Sequence, residues 1–211
     1  MFDTLQTPAP SLPVHAHRGF DPYRLVAFGG SAGAIPALLA ILSHFPADFP
    51  IPVVVVQHLA ATFESRLPRV LGVRTALRCA WAADGGRPRP GTVHVAPPGA
   101  SLTLTADGRF RVASGPRPRL GGPSVDAFLG SVAAALGSRA IAVVLSGVLS
   151  DGADGILAVR RSGGATMAQR PDTAAHRDMP VAALDFGKAD LQMSPKRIAQ
   201  ALLVLAERGV E

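Results

Sequence analysis

A single cysteine, Cys79, stands among 211 residues. One thiol cannot close a disulfide within the chain, so packing must hold the fold, as suits a reducing compartment. Aromatic residues are scarce, with one Trp, one Tyr and nine Phe. Single-stranded nucleic acid is bound by stacking bases on such rings, and too few are present for that platform. No apolar run reaches the ~18–20 residues needed to cross a bilayer. The opening stretch MFDTLQTPAPSLPVHAHRGFDP lacks the apolar core of a secretory signal. These absences predict a cytoplasmic protein with no membrane insertion and no nucleic-acid partner.

What is plentiful is small and apolar. Hydrophobic residues make up 48% of the chain, many of them Ala and Val. At this length they suffice for one proper core. Lys and Arg number 21 against 15 Asp and Glu, a net charge of +6. The cations are mostly Arg and are scattered, which favours an acidic protein partner.

Residues 1–22 carry four prolines and little periodicity, and read as a flexible arm. Its His15 and His17 form an H-x-H pair, read as a tail feature and not as a metal site. Residues 23–211 read as one domain in which strands alternate with helices. RLVAF (24–28) is a strand and 33–44 a helix. IPVVVVQH (51–58) is a buried β-branched strand, followed by a helix near 63–71 and a strand at TALRCA (75–80). GTVHVAP and SLTLTADGRFRVA read together as a small β meander, with Asp107-Gly108 at a hairpin turn. Ser124 caps a helix in PSVDAFLGSVAAAL. AIAVVLSG (140–147) is another buried strand, and a helix ends at Gly163. ATMAQ is a short strand, and 195–208 is the last helix. The alternation predicts an α/β protein: three α/β/α layers, a mostly parallel doubly wound sheet, and a small hairpin or meander insertion.

Ligands of such sheets bind beyond the carboxyl ends of the strands. Three polar groups fall there. Ser31 lies in Gly29-Gly30-Ser31-Ala32-Gly33, a G-x-S-x-G segment where a strand becomes a helix. Small flanks allow the sharp turn that lifts a nucleophilic serine, although a plain glycine-rich turn fits the motif equally. A phosphate loop does not fit, because the Gly-Lys-Ser/Thr ending is missing. A dinucleotide fingerprint fails too, since the next strand ends in Gln57-His58 and not in an acid. His58, at that strand end, is a candidate base, and serine is a poor nucleophile without one. Asp151 precedes a glycine in VVLSGVLSDGADG, where a carboxylate could orient His58. Asp-Gly is also ordinary turn chemistry. Asp154 is expected to cap the following helix. Backbone N–H groups of the 147–150 loop could face an oxyanion. Nucleophile, base and orienting acid at one sheet rim make a serine hydrolase.

Beyond these residues the chain resembles the catalytic domain of the bacterial chemotaxis protein-glutamate methylesterases (CheB-type). The matching segments are GGSAGA, VVQHLAATF, DGGRPRPGTVHVAPPG, GPSVDAFLGSV, VVLSGVLSDGADGILAVRRSGG, MAQ and DMP, in the family's order over residues 24–205. The resemblance implies a Ser31–His58–Asp151 triad that hydrolyses γ-glutamyl methyl esters on chemoreceptor-type signalling proteins and can also deamidate glutamine. It implies oxyanion donors at the backbone of Ala32 and Val148, no metal and no cofactor, and an acidic helical substrate. The chain departs from the family in several places. Ser31-Ala32-Gly33-Ala34 stands for Ser-Thr-Gly-Gly. Leu149 stands for a glycine in TGMGxDG. Ser101 stands where a histidine commonly follows APPG. No phosphorylated receiver domain precedes the catalytic part, and the 22-residue arm cannot replace one. The expectation is a free-standing enzyme, controlled by a separate regulatory protein or not controlled at all. The alternative is a regulatory or binding module that kept the fold without catalysis.

Overall fold

The computed structural model describes residues 23–59, 64–114 and 124–207. The arm with His15 and His17, the chain between Leu59 and Glu64, and the stretch before Ser124 lie outside them. In chain order the elements are β1 (Leu25–Gly30), α1 (Ala34–Leu42), β2 (Val53–Gln57), α2 (Leu67–Gly72), β3 (Arg78–Trp81), β4 (Thr92–Val95), β5 (Ala100–Leu104) and β6 (Phe110–Ser114). They continue with α3 (Val125–Leu136), β7 (Ala140–Val144), α4 (Ala153–Arg161), β8 (Ala165–Gln169), α5 (Asp178–Asp185), β9 (Leu191–Met193) and α6 (Pro195–Glu207).

Seven strands form one sheet in the order β3-β4-β2-β1-β7-β8-β9, and every pairing in it is parallel. The central strands are buried along their whole length, which explains why β1, β2 and β7 read as unbroken runs of Val, Ala, Leu and Ile. Side chains alternate across a strand. Val26, Phe28, Val53, Val55, Ile141 and Val143 pack with Leu38 and Ile41 of α1 and Ile198 and Leu202 of α6. Their neighbours Leu25, Ala27, Val54, Val56, Ala142 and Val144 pack on the other face with Phe128 and Leu129 of α3 and Ile156 and Val159 of α4. The α/β/α expectation holds. Cys79 is half-buried against the first of these layers, and burial pushes its thiol up to about 11, as befits a packing residue.

One local expectation does not hold. Thr92–Val95 is no part of a meander: β4 lies inside the main sheet, parallel to β2 and β3. Only β5 and β6 form an antiparallel hairpin, with Gly108 at its turn at φ 76°. A four-residue strand shows the same alternation in either setting, so its pattern could not choose. The chain between β8 and α6 also holds α5 and β9, short elements with little periodicity of their own.

The chain runs from β1 to β2 on one side and returns to β7 on the other, so the connections part company at β1. Gly30 is level with Gln57, and Gly29 with Val144. Whatever follows these three strands meets at one rim. Among the described residues no helix is long and apolar enough to cross a membrane.

Candidate active site

Ser31 is the first residue past β1. Its backbone N–H donates to the Ser146 carbonyl beyond β7 (2.9 Å), and its own carbonyl accepts Gln57 Nε2 (2.7 Å) and Ala34 N (3.1 Å). The turn is thus tied to both neighbouring strands. Gly33, at φ 75°, lets the chain reverse into α1, a conformation that side chains resist. Ser31 is 8% exposed, close to the surface of the rim. The loop after β7 passes directly over it: a Cβ on Gly147 would lie 2.9 Å from Ser31 Cβ.

His58 follows β2, and its backbone N–H donates to the Gly30 carbonyl (3.1 Å). Its Nε2 meets Asp151 Oδ2 at 2.7 Å, with both side chains about a quarter exposed (29% and 23%). Nδ1 is the ring nitrogen left over. Among the described residues no hydrogen bond joins His58 to the Ser31 hydroxyl, so the direct side-chain link made here is the one between His58 and Asp151.

Asp151 is held from below by α3. Val125 N donates to Oδ2 (2.8 Å), Asp126 N to Oδ1 (2.9 Å), and the Ser124 hydroxyl to Oδ1 (3.2 Å). Ser124 also caps α3 as expected, accepting Ala127 N at 3.2 Å. Burial alone would raise the Asp151 pKa. The hydrogen bonds from His58, Asp126 and Val125 outweigh it and bring the carboxyl down to about 2. It is therefore an anion at neutral pH, which is the form that orients and stabilises an imidazolium.

Asp154 does not cap α4. The N-cap is Gly152, at φ 107°, and Asp154 lies within the first turn. Capping comes from α3, where Asp126 Oδ1 accepts the N–H groups of Gly152 (2.9 Å) and Gly155 (2.7 Å). Burial and the nearby Asp151 charge push Asp126 up to about 6.

The backbone N–H groups of Ala32 and Val148 donate to no carbonyl or side chain among the described residues. Leu149, beside Val148, is 64% exposed and held at φ 65°. Sequence reasoning missed three supporting residues. Gln57 holds the Ser31 carbonyl, and its own Oε1 is buried with no partner among the described residues. Ser146 is fully buried, donates to the Ala32 carbonyl (2.8 Å) and accepts His176 N (2.9 Å). Asp126 is the third. A polar residue closing a buried apolar strand was the available signal for Gln57 and Ser146.

Comparison with known proteins decides the family. Residues 26–202 match the CheB methylesterase family. The chain belongs to that family.

It is 39% identical over 203 residues to protein-glutamate methylesterase/protein-glutamine glutaminase 3 of Anaeromyxobacter dehalogenans, covering 95% of this chain and 58% of that protein. It is 37% identical to the corresponding protein 1 of Caulobacter vibrioides, covering 86% of this chain and 54% of the other. The protein-glutamate methylesterase FrzG of Myxococcus xanthus is 35% identical over 94% of this chain and 60% of its own length. The chain thus spans a little over half the length of these curated relatives. The crystal structure of the Thermotoga maritima CheB methylesterase catalytic domain superposes with a TM-score of 0.82 at 32% identity, over 87% of this chain and 98% of that one. This CheB-family chain carries the catalytic-domain fold essentially whole.

Proposed function

We propose that the chain is a serine esterase that hydrolyses γ-glutamyl methyl esters on methylated chemoreceptor-type signalling proteins, with residues 23–211 as one catalytic unit. The observation that carries this reading is the His58–Asp151 pair, 2.7 Å apart at the rim where Ser31 turns out of β1. Ser31 Oγ attacks the ester carbonyl carbon and its proton passes to His58 Nδ1, the nitrogen not engaged by Asp151. Asp151 stabilises the imidazolium so formed. The N–H groups of Ala32 and Val148, which have no partner among the described residues, receive the oxyanion. Collapse breaks the C–O bond, and methanol leaves with the proton from His58. Water then attacks the acyl-serine by the same route in reverse, releasing glutamate and restoring Ser31.

The same steps with an amide leaving group release ammonia, which is the glutaminase activity named in two of the relatives. The net charge of +6 suits an acidic helical substrate. The reading requires no metal or cofactor. It puts the protein in the cytoplasm.

The test is methanol release from methylated receptor membranes, with Ser31→Ala as control. The reading predicts release by the wild type and its loss in a folded variant. A wild-type chain that releases no methanol, and is not labelled at Ser31 by a fluorophosphonate, is a non-catalytic module.

A further inference from the structure

Helices α3 and α4 bring their N-terminal ends to the same rim, and each end is capped by an aspartate from the other side. Asp151, in the loop that leads into α4, accepts the N–H groups of Val125 and Asp126 in the first turn of α3. Asp126, in α3, accepts those of Gly152 and Gly155 at the start of α4. The N-cap of α4 is glycine and has no side chain with which to do this. The amide of Gly152 is the peptide group directly after Asp151. Asp126 therefore grips the main chain next to the residue that holds His58.

We propose that Asp126 is a positioning residue for the acyl-transfer reaction: by holding the amide that follows Asp151, it fixes the direction in which the Asp151 carboxylate meets His58. The inference rests on the triad reading above. Asp126 acts through Asp151 and is not itself a reacting group. Among the described residues the charged groups around it are few. Asp151 faces it from the loop and His58 lies beyond, with Asp154 in the first turn of α4. Strands β1, β2, β5 and β7, which also touch α3, carry no charged residue. Arg139 sits at the far end of the helix. Among the described residues, little besides the two amides competes for the carboxylate.

The test measures two rates in the whole chain: labelling of Ser31 by a fluorophosphonate, and steady-state methanol release. Asp126→Ala removes the grip, and Asp126→Asn keeps an acceptor oxygen in place. Asp126→Ala should slow labelling and lower kcat by about 10- to 100-fold, because a misplaced catalytic group costs on that scale, with KM changed less than about 2-fold. Asp126→Asn should recover to within about 5-fold of wild type. Should Asp126→Ala fail to fold, Asp126→Ser, which suits a first helical turn but is a poor double acceptor, takes its place with the same expectation.

Labelling at the wild-type rate in the alanine variant overturns the inference, as does a loss confined to KM, or a folded asparagine variant as slow as alanine. If the wild type takes no label, the triad reading falls and this inference with it. If the wild type is labelled and Asp126→Ala is labelled equally fast, this inference alone falls.

Discussion

His58 turns Nε2 toward Asp151, at 2.7 Å, and leaves Nδ1, the nitrogen nearer the backbone, without a hydrogen bond among the described residues. In the serine-protease arrangement the acid takes Nδ1 and the nucleophile Nε2. Here the acid takes Nε2 instead, and is itself seated on the N-terminus of a helix. The Asp151 carboxylate therefore has two structural duties, to His58 and to α3.

Replacing Asp151 by asparagine should expose both duties. An amide cannot present two acceptor oxygens to His58, Val125 and Asp126 at once. We expect kcat to fall about 10⁴-fold, the scale seen when a triad acid is amidated. The melting temperature should fall as well, because α3 loses part of its cap. Ser31→Ala should lose turnover with a stability change within about 0.5 kcal/mol, since the hydroxyl makes no hydrogen bond among the described residues. Methanol assays and thermal melts check both.

Acidity should act on the two aspartates in opposite senses. The Asp151 pKa is depressed, so its contribution to stability is complete above its unfolded value near ~4 and is lost as pH falls through about 2. The Asp126 pKa is raised, so its charge costs stability above about 6, and that cost disappears as pH falls toward ~4. Asp126→Asn should therefore melt above wild type at pH 8, and the difference should close below pH ~4. A difference constant with pH would contradict this assignment.

Ser146→Ala should destabilise the protein more than its size suggests. Its hydroxyl serves the Ala32 carbonyl and the His176 N–H together, and its burial is complete. Losing such a partner costs about 1–3 kcal/mol. Urea unfolding should show it as a lower midpoint at unchanged slope.

Leu149→Gly should do the reverse. A leucine at φ 65° is strained, and 64% exposure leaves little packing to offset it. Glycine adopts that conformation freely but loses more entropy on folding, so the net gain should be about 0.5–1 kcal/mol. A higher urea midpoint for the variant is the expected result.

The large features were legible because burial leaves a mark in composition. The runs in β1, β2 and β7 announced a parallel sheet, and the strand ends announced where Ser31, His58 and Asp151 would emerge. What escaped reading were relationships between segments. Thr92–Val95 alternates alike whether its neighbours run parallel or antiparallel. Asp126 looks like any acid in a first helical turn, because the helix end it serves is 26 residues further along the chain. Asp154 looked like a cap for the same reason, its position being near the right one and the real acceptor, Asp126, lying elsewhere.

The seat of Asp151 on α3 gives the protein a built-in spectroscopic reporter. The amide protons of Val125 and Asp126 are shielded only as long as the acid stays docked. Their deuterium uptake thus reads the docking of Asp151 directly, in the resting protein, before any substrate is chosen.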